Sequence, residues 1–84
     1  MNLPTTNSHF TLSILVANRS GALSRITGLF SKRGYNIDTL SVGPMAEDPS
    51  FSRLIMTSSG DDATKNQIIK QLAKLIDVVD VKLI

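Results

Sequence analysis

The chain of 84 residues contains no cysteine, which excludes disulfides, thiol catalysis and cysteine-based zinc sites. It has one histidine, His9. That residue begins an alternating segment, on the side opposite the apolar set, with no Ser/His/Asp arrangement or metal-binding cluster around it. It reads as a surface residue. No apolar run approaches the roughly 20 residues that a membrane span needs. The opening MNLPTTNSH lacks the basic patch and apolar core of a secretory signal. Lys and Arg number 9 and Asp and Glu 7, scattered along the chain for a formal charge of +2. Nucleic-acid binders instead concentrate basic residues on one face. The glycines form neither a GxGxxG nor a P-loop pattern. These absences lead us to expect a cytoplasmic protein with no membrane, nucleic-acid or metal partner.

What is present describes one small globular domain. Apolar residues make up 42% and charged residues 19% of the chain, a balance typical of folded rather than disordered sequences. A domain of this size buries only roughly 60–65% of its unfolded surface. Its own stability is therefore modest, and exposed strand edges favour association. Residues 1–8 are polar, include Pro4 and read as a flexible N-terminal arm; residues 9–84 read as a single domain.

Periodicity divides that domain into six elements. From His9 to Ala17, Phe10, Leu12, Ile14 and Val16 alternate with His9, Thr11, Ser13, Leu15 and Ala17, the pattern of a half-buried strand. Over 22–33 the period changes, and Ala22, Leu23, Ile26, Leu29 and Phe30 form one helical stripe. Lys32 and Arg33 suit the negative end of that helix, and Gly34 supplies its left-handed terminator. Tyr35–Val42 and Phe51–Ser58 read as strands joined by a loop containing Pro44 and Pro49, with Leu54 and Met56 facing the core. Asp61 and Asp62 start a second helix with a stripe of Ile68, Ile69, Leu72 and Leu75. Val79, Val81 and Leu83 then alternate with Val78, Asp80 and Lys82 in a last strand. The order βαββαβ, with right-handed crossovers, predicts an α+β, ferredoxin-like fold: a four-stranded antiparallel sheet with both helices on one face.

The first strand–helix junction, Asn18-Arg19-Ser20-Gly21-Ala22, is the segment with binding chemistry. The first N–H groups of a helix lack intrahelical partners and, with the dipole, favour an anion such as a carboxylate. Gly21 admits close approach and unusual φ, and the Asn18 amide can donate to a carboxylate and accept from an ammonium group. The combination suits a free amino acid. The competing reading is structural: Asn18 or Ser20 caps the helix and Gly21 eases a tight turn. Gly28, inside the helix on nearly the same face as Gly21, reads either as close approach by a partner's backbone or as packing against the sheet. Asp61 and Asp62 are adjacent at a helix start, do not converge on one substrate atom, and read as caps rather than catalytic carboxylates.

The run NRSGALSRITGLFSKRGYNIDTLSVGP, followed by SRLIMTSSGD and IIKQLAKLIDVVDV, resembles the regulatory small subunits of acetolactate synthase, also called acetohydroxyacid synthase. The likeness extends over about residues 9–84. The resemblance implies the ACT-domain form of the βαββαβ plan and no catalysis by the chain itself. It implies binding and activation of the acetolactate synthase catalytic subunit in branched-chain amino-acid biosynthesis, with feedback inhibition by valine or another branched-chain amino acid. Thiamine diphosphate, magnesium and FAD are then expected on the catalytic subunit and no cofactor on this chain. It further implies a homodimer in which ACT domains pair side by side and share effector sites. By motif, Asn18, Gly21 and Ala22, with Ser20 from the same loop, meet the effector from one chain, and Asn36 and Ile37 from its neighbour.

Two departures stand out. Many relatives carry an acidic residue where this chain has Ala17, and many have a second domain where this chain stops at Ile84. The alternative function is an amino-acid-sensing ACT domain serving another enzyme or regulator. An RNA-recognition module shares the topology, but those modules stack bases on strand aromatics. The third strand here, FSRLIMTS, offers Phe51 and Arg53 without a glycine–aromatic run. Leu15 and Ile55, on the sheet face away from the helices, are candidates for a contact surface.

Overall fold

Leu12, Ile14, Leu54 and Met56 meet Ile26, Phe30, Ile68 and Leu72 in one buried cluster, and that cluster fixes the architecture. A computed structural model describes residues 8–84; of the expected arm over 1–8, residues 1–7 lie outside the described residues and Ser8 begins the first strand. The elements are β1 (Ser8–Ala17), α1 (Ala22–Arg33), β2 (Asn36–Pro44), β3 (Phe51–Gly60), α2 (Asp62–Ala73) and β4 (Val78–Leu83). The strands form one antiparallel sheet in the order β2-β3-β1-β4. Consecutive β1 and β2 are thus separated by β3, as the ferredoxin-like plan requires. The chain has the expected fold.

Both helices cover the same face of the sheet, and each large side chain buried there contributes about 1.5–3 kcal/mol. In β3 the alternation is unbroken: Ser52, Leu54, Met56, Ser58 and Gly60 are buried, with half-buried residues between them. The helices differ at their starts. The Asp61 side chain accepts from the Thr64 N–H at 2.7 Å and Asp62 follows in the first turn of α2. Before α1 the capping position is Gly21, at φ 82°, with no side-chain cap and no acid in the first turn. The competing reading, in which Asn18 or Ser20 caps α1, therefore does not hold. Gly34 ends α1 at φ 71° as expected. The Tyr35 N–H then donates to the Phe30 carbonyl at 2.8 Å, and their rings meet edge-on with centroids 5.8 Å apart. This tight exit places Asn36 at the start of β2.

Local departures have physical causes. β2 and β3 each run two residues further than periodicity indicates, because their ends are paired: Pro44 with Ser52, and Gly60 with Ser8. The register shifts in β4, where Val16 faces Val78 and Leu15 faces Asp80. An extra residue at a bulge breaks the two-residue period. Val78 and Val81 consequently pack against the core, while Val79 and Leu83 are exposed. A second shift, between Ile37 and Thr39, sets Asp38 outside the regular pairing of β2. Leu23, assigned by spacing to the buried stripe, is 43% exposed. A Cβ on Gly28 would meet nothing within 4 Å, so packing of the chain's own sheet does not require that glycine.

Candidate functional site

The β1–α1 loop, residues 18–21, has no buried side chain, so its shape depends on tethers. Asn18 supplies three. Its backbone N–H donates to the Ser50 carbonyl at 2.8 Å. Its side-chain Nδ2 donates to the Pro49 carbonyl at 2.7 Å, and its Oδ1 accepts from the Ser52 hydroxyl at 2.6 Å. The β2–β3 loop offering Pro49 and Ser50 is itself braced by Asp48, whose carboxylate accepts from the Ser50 hydroxyl at 2.5 Å and the Ser50 N–H at 3.1 Å. Those two bonds hold the Asp48 carboxyl below the ordinary carboxylate range. Asn18 thus ties the loop before α1 to the loop before β3. Each amide atom keeps capacity for one further hydrogen bond.

Beside this tie lies an open cleft of about 440 Å³. Its floor is apolar, from Val16, Ala22 and Leu54, and its outer wall carries Leu23 and Val42; Asn18, Ser20, Ser24 and Ser52 supply polar groups. Val42 is 49% exposed on β2, an edge strand of the sheet. The start of α1 lines the same cleft, without the capping side chain or acid that α2 has. An uncapped helix start, an apolar floor and an amide at the rim together fit a small molecule with a carboxylate and an apolar side chain.

Arg25 and Asp77 form an ion pair behind the loop, outside the cleft lining. Asp77, 1% exposed, accepts from Arg25 Nε at 2.6 Å and Nη2 at 3.2 Å. The Arg25 hydrogen bond holds the Asp77 carboxyl below its ordinary range against the opposing effect of burial, assisted by the charges of Arg25 and Arg19. The same bond raises the Arg25 guanidinium's hold on its proton.

Of the six residues expected at the site, four line this cleft: Asn18, Ser20, Gly21 and Ala22. Asn36 and Ile37 do not. Asn36 pairs with Ser59, whereas Asn18 is bonded to Ser52. Those partners stand seven positions apart along β3, roughly 23 Å at ~3.3 Å per residue. One chain cannot bring the two asparagines to one ligand. At the far end Asn36 Nδ2 donates to the Asp38 carboxylate, which also accepts from His9 Nδ1 at 3.1 Å and the Ser59 hydroxyl at 3.4 Å. The Asn36 carbonyl accepts from the buried Ser58 hydroxyl. Ile37 is half-buried and packs against the core. His9 is 83% exposed. Leu15 and Ile55 are half-buried on the other sheet face.

Sequence reasoning passed over Ser52, Val42, Arg25 and Asp77. Two had a signal: Ser52 falls on the apolar face of β3 by alternation, and Asp77 interrupts an apolar run. A small polar residue in an apolar pattern needs a hydrogen-bond partner, and a buried acid needs a cation. Arg25 and Val42 carry no such mark. Among the described residues no group of three or more His, Cys, Asp and Glu can hold a metal ion, and no helix is long and apolar enough to cross a membrane.

Comparison with known proteins gives the family and agrees with the fold. The family described as the AHAS small subunit-like ACT domain matches residues 12–80. The acetolactate synthase small subunit of Buchnera aphidicola (subsp. Schizaphis graminum) is 56% identical over 70 residues, 83% of this chain and 44% of that protein. The acetolactate synthase isozyme 3 small subunit of Escherichia coli is 54% identical over 70 residues, covering 83% of this chain and 42% of that one. The crystal structure of the acetolactate synthase small subunit from Thermotoga maritima superposes with a TM-score of 0.82 at 41% identity, over 90% of this chain and 47% of that chain. The chain thus spans less than half the length of the curated relatives it matches. With its βαββαβ sheet and the uncapped helix start at its edge cleft, the chain belongs to the AHAS small subunit-like ACT domain family.

Proposed function

We propose that the chain is the effector-binding domain of an acetolactate synthase regulatory subunit and that it takes valine, or another branched-chain amino acid, in the cleft beside Asn18. The observation that supports this most directly is the contrast between the two helix starts. α2 is capped by Asp61 with Asp62 in its first turn, while α1 opens without a side-chain cap onto a cleft with an apolar floor. The Ala22 N–H already donates to the Arg19 carbonyl at 3.0 Å. The effector carboxylate therefore accepts from the next N–H groups in the first turn of α1 and the remaining N–H of Asn18, and the branched side chain lies against Val42 and Leu23. The ammonium group donates to amide oxygens, because this chain has Ala17 where many relatives have an acid.

A homodimer completes the site. β2 is an exposed sheet edge next to the cleft, and such edges pair readily with another strand. When two copies join antiparallel through β2 about an axis near Leu40, Asn36 and Ile37 of one copy lie beside Val42 of the other. The distance that separates Asn18 from Asn36 within one chain is removed by the second chain. A ligand held by both copies binds the paired state better than the separated one, and that difference in affinity drives regulation. The chemistry belongs to the catalytic partner, which carries the thiamine diphosphate, magnesium and FAD; this chain contributes no catalytic group.

Reconstitution tests the proposal. A catalytic subunit mixed with this chain, or with the longer subunit containing it, gains activity, and valine lowers that activity. No change in activity or in valine sensitivity with either form overturns it.

A further inference from the structure

We infer that Arg25 and Asp77 are positioning residues for the effector loop, and that this clamp, rather than a capping side chain, holds residues 18–21 in binding shape. The inference rests on the proposed effector site. The guanidinium of Arg25 stands at a junction of three elements. Its Nε and Nη2 donate to the Asp77 carboxylate at 2.6 and 3.2 Å. Nη2 also donates to the Ser20 carbonyl at 3.0 Å. Its Nη1 lies 2.9 Å from where a Cβ on Gly21 would stand. The fork of a guanidinium can serve a carboxylate and a carbonyl at once in fixed geometry, which the single ammonium of lysine cannot.

Asp77 anchors the other side. Its carbonyl accepts from the Ala17 N–H at 2.8 Å, at the residue where β1 gives way to the loop. Backbone and side chain of one buried residue thus grip the loop at its entry and, through Arg25, at Ser20. The loop's residues are exposed, so no burial of their own holds them. A helix start binds an anion only when its N–H groups converge, and here the carbonyl of Ser20 and the backbone of Gly21 set that convergence. Arg25 touches the loop from behind and does not appear among the residues lining the cleft, so it acts through the loop rather than on the ligand.

The test compares Arg25→Met, Asp77→Asn, the double variant and Arg25→Lys with the wild-type chain. It uses valine titration by calorimetry, thermal melting, and amide hydrogen exchange of the ligand-free protein. The single variants are expected to bind valine about tenfold more weakly and to exchange faster over residues 18–24 but not in β1 or β3. Arg25→Met leaves a buried carboxylate unpaired and melts lower. The double variant has no unpaired buried charge; it melts above Arg25→Met while valine affinity stays weak. Arg25→Lys falls between. If affinity recovers together with melting, or the single variants bind valine normally with unchanged loop exchange, the clamp is structural only and the inference is overturned. If the wild-type chain binds no valine, the effector reading fails instead. The clamp is then judged on exchange alone: acceleration confined to 18–24 upholds it, and unchanged or uniformly faster exchange rejects it.

Discussion

The Ser52 hydroxyl donates to Asn18 Oδ1 at 2.6 Å while Asn18 Nδ2 donates to the Pro49 carbonyl at 2.7 Å. The two bonds fix which way the amide faces, so the atoms left over for a ligand are fixed too. Pre-set polar groups bind without the loss of freedom that ordering a loose side chain entails. In the proposed effector site Ser52 would therefore be a partner in recognition although it is buried.

Removing that partner tests the relationship. A hydrogen bond of this kind contributes about 1 kcal/mol, so Ser52→Ala is expected to weaken valine binding about fivefold. Asn18→Ala removes the recognising group itself and is expected to weaken it by at least about tenfold. Calorimetry on the three proteins checks the order; equal affinities remove Asn18 from the site.

The two glycines of the first helical segment are expected to respond in opposite senses. Gly21 has φ 82°, and an added Cβ would stand 2.9 Å from Arg25 Nη1. Gly21→Ala should cost about 1–2 kcal/mol from the left-handed backbone alone, beyond any shift of Arg25. Gly28 lies inside α1 with open space around it. Gly28→Ala should stabilise the monomer by about 0.5–1 kcal/mol. Urea unfolding at concentrations where the chain is monomeric measures both.

Acid should weaken the fold through Asp77. Hydrogen bonding from Arg25 lowers the Asp77 pKa, and hydrogen bonds lower those of Asp48 and Asp61. A carboxyl with a lower pKa in the folded state binds fewer protons there than in the unfolded chain. Its stabilisation is complete above the unfolded value, roughly 3.9, and is lost as pH falls through the lower folded value. Unfolding free energy should thus hold level towards pH 5 and fall below about 4. Asp77→Asn should be less stable at neutral pH and show a shallower acid loss.

Val42 separates folding from assembly. It is 49% exposed on the free edge, so Val42→Lys should melt close to wild type, as exposed substitutions usually do. Placed where two β2 strands meet, the charge should shift sedimentation from dimer towards monomer and abolish valine binding. A dimer of unchanged affinity would exclude β2 as the shared edge.

Much of this protein was legible in its residues. Strict alternation in β1, the stripe of Ala22, Ile26 and Phe30, and Gly34 after Lys32 and Arg33 specify local structure, because period and backbone freedom are properties of neighbouring residues. The order of elements then admits few topologies. Four of the expected site residues adjoin one another in the chain, so the cleft's loop could be found by reading along it.

Tertiary structure decided what depends on residues distant in sequence. No local pattern places Arg25 on Asp77, 52 positions away, or Ser52 on Asn18, 34 positions away. Nor does it foretell the bulges at Asp38 and Val79, which arise when paired strands of unequal fit share one register. The separation of Asn18 from Asn36 belongs here too, since it is set by the length of β3 between their partners. Neighbouring residues chose the elements; the sheet register and contacts between distant residues, Asn18 with Pro49, Ser50 and Ser52 and Arg25 with Asp77, chose where the loop before α1 sits.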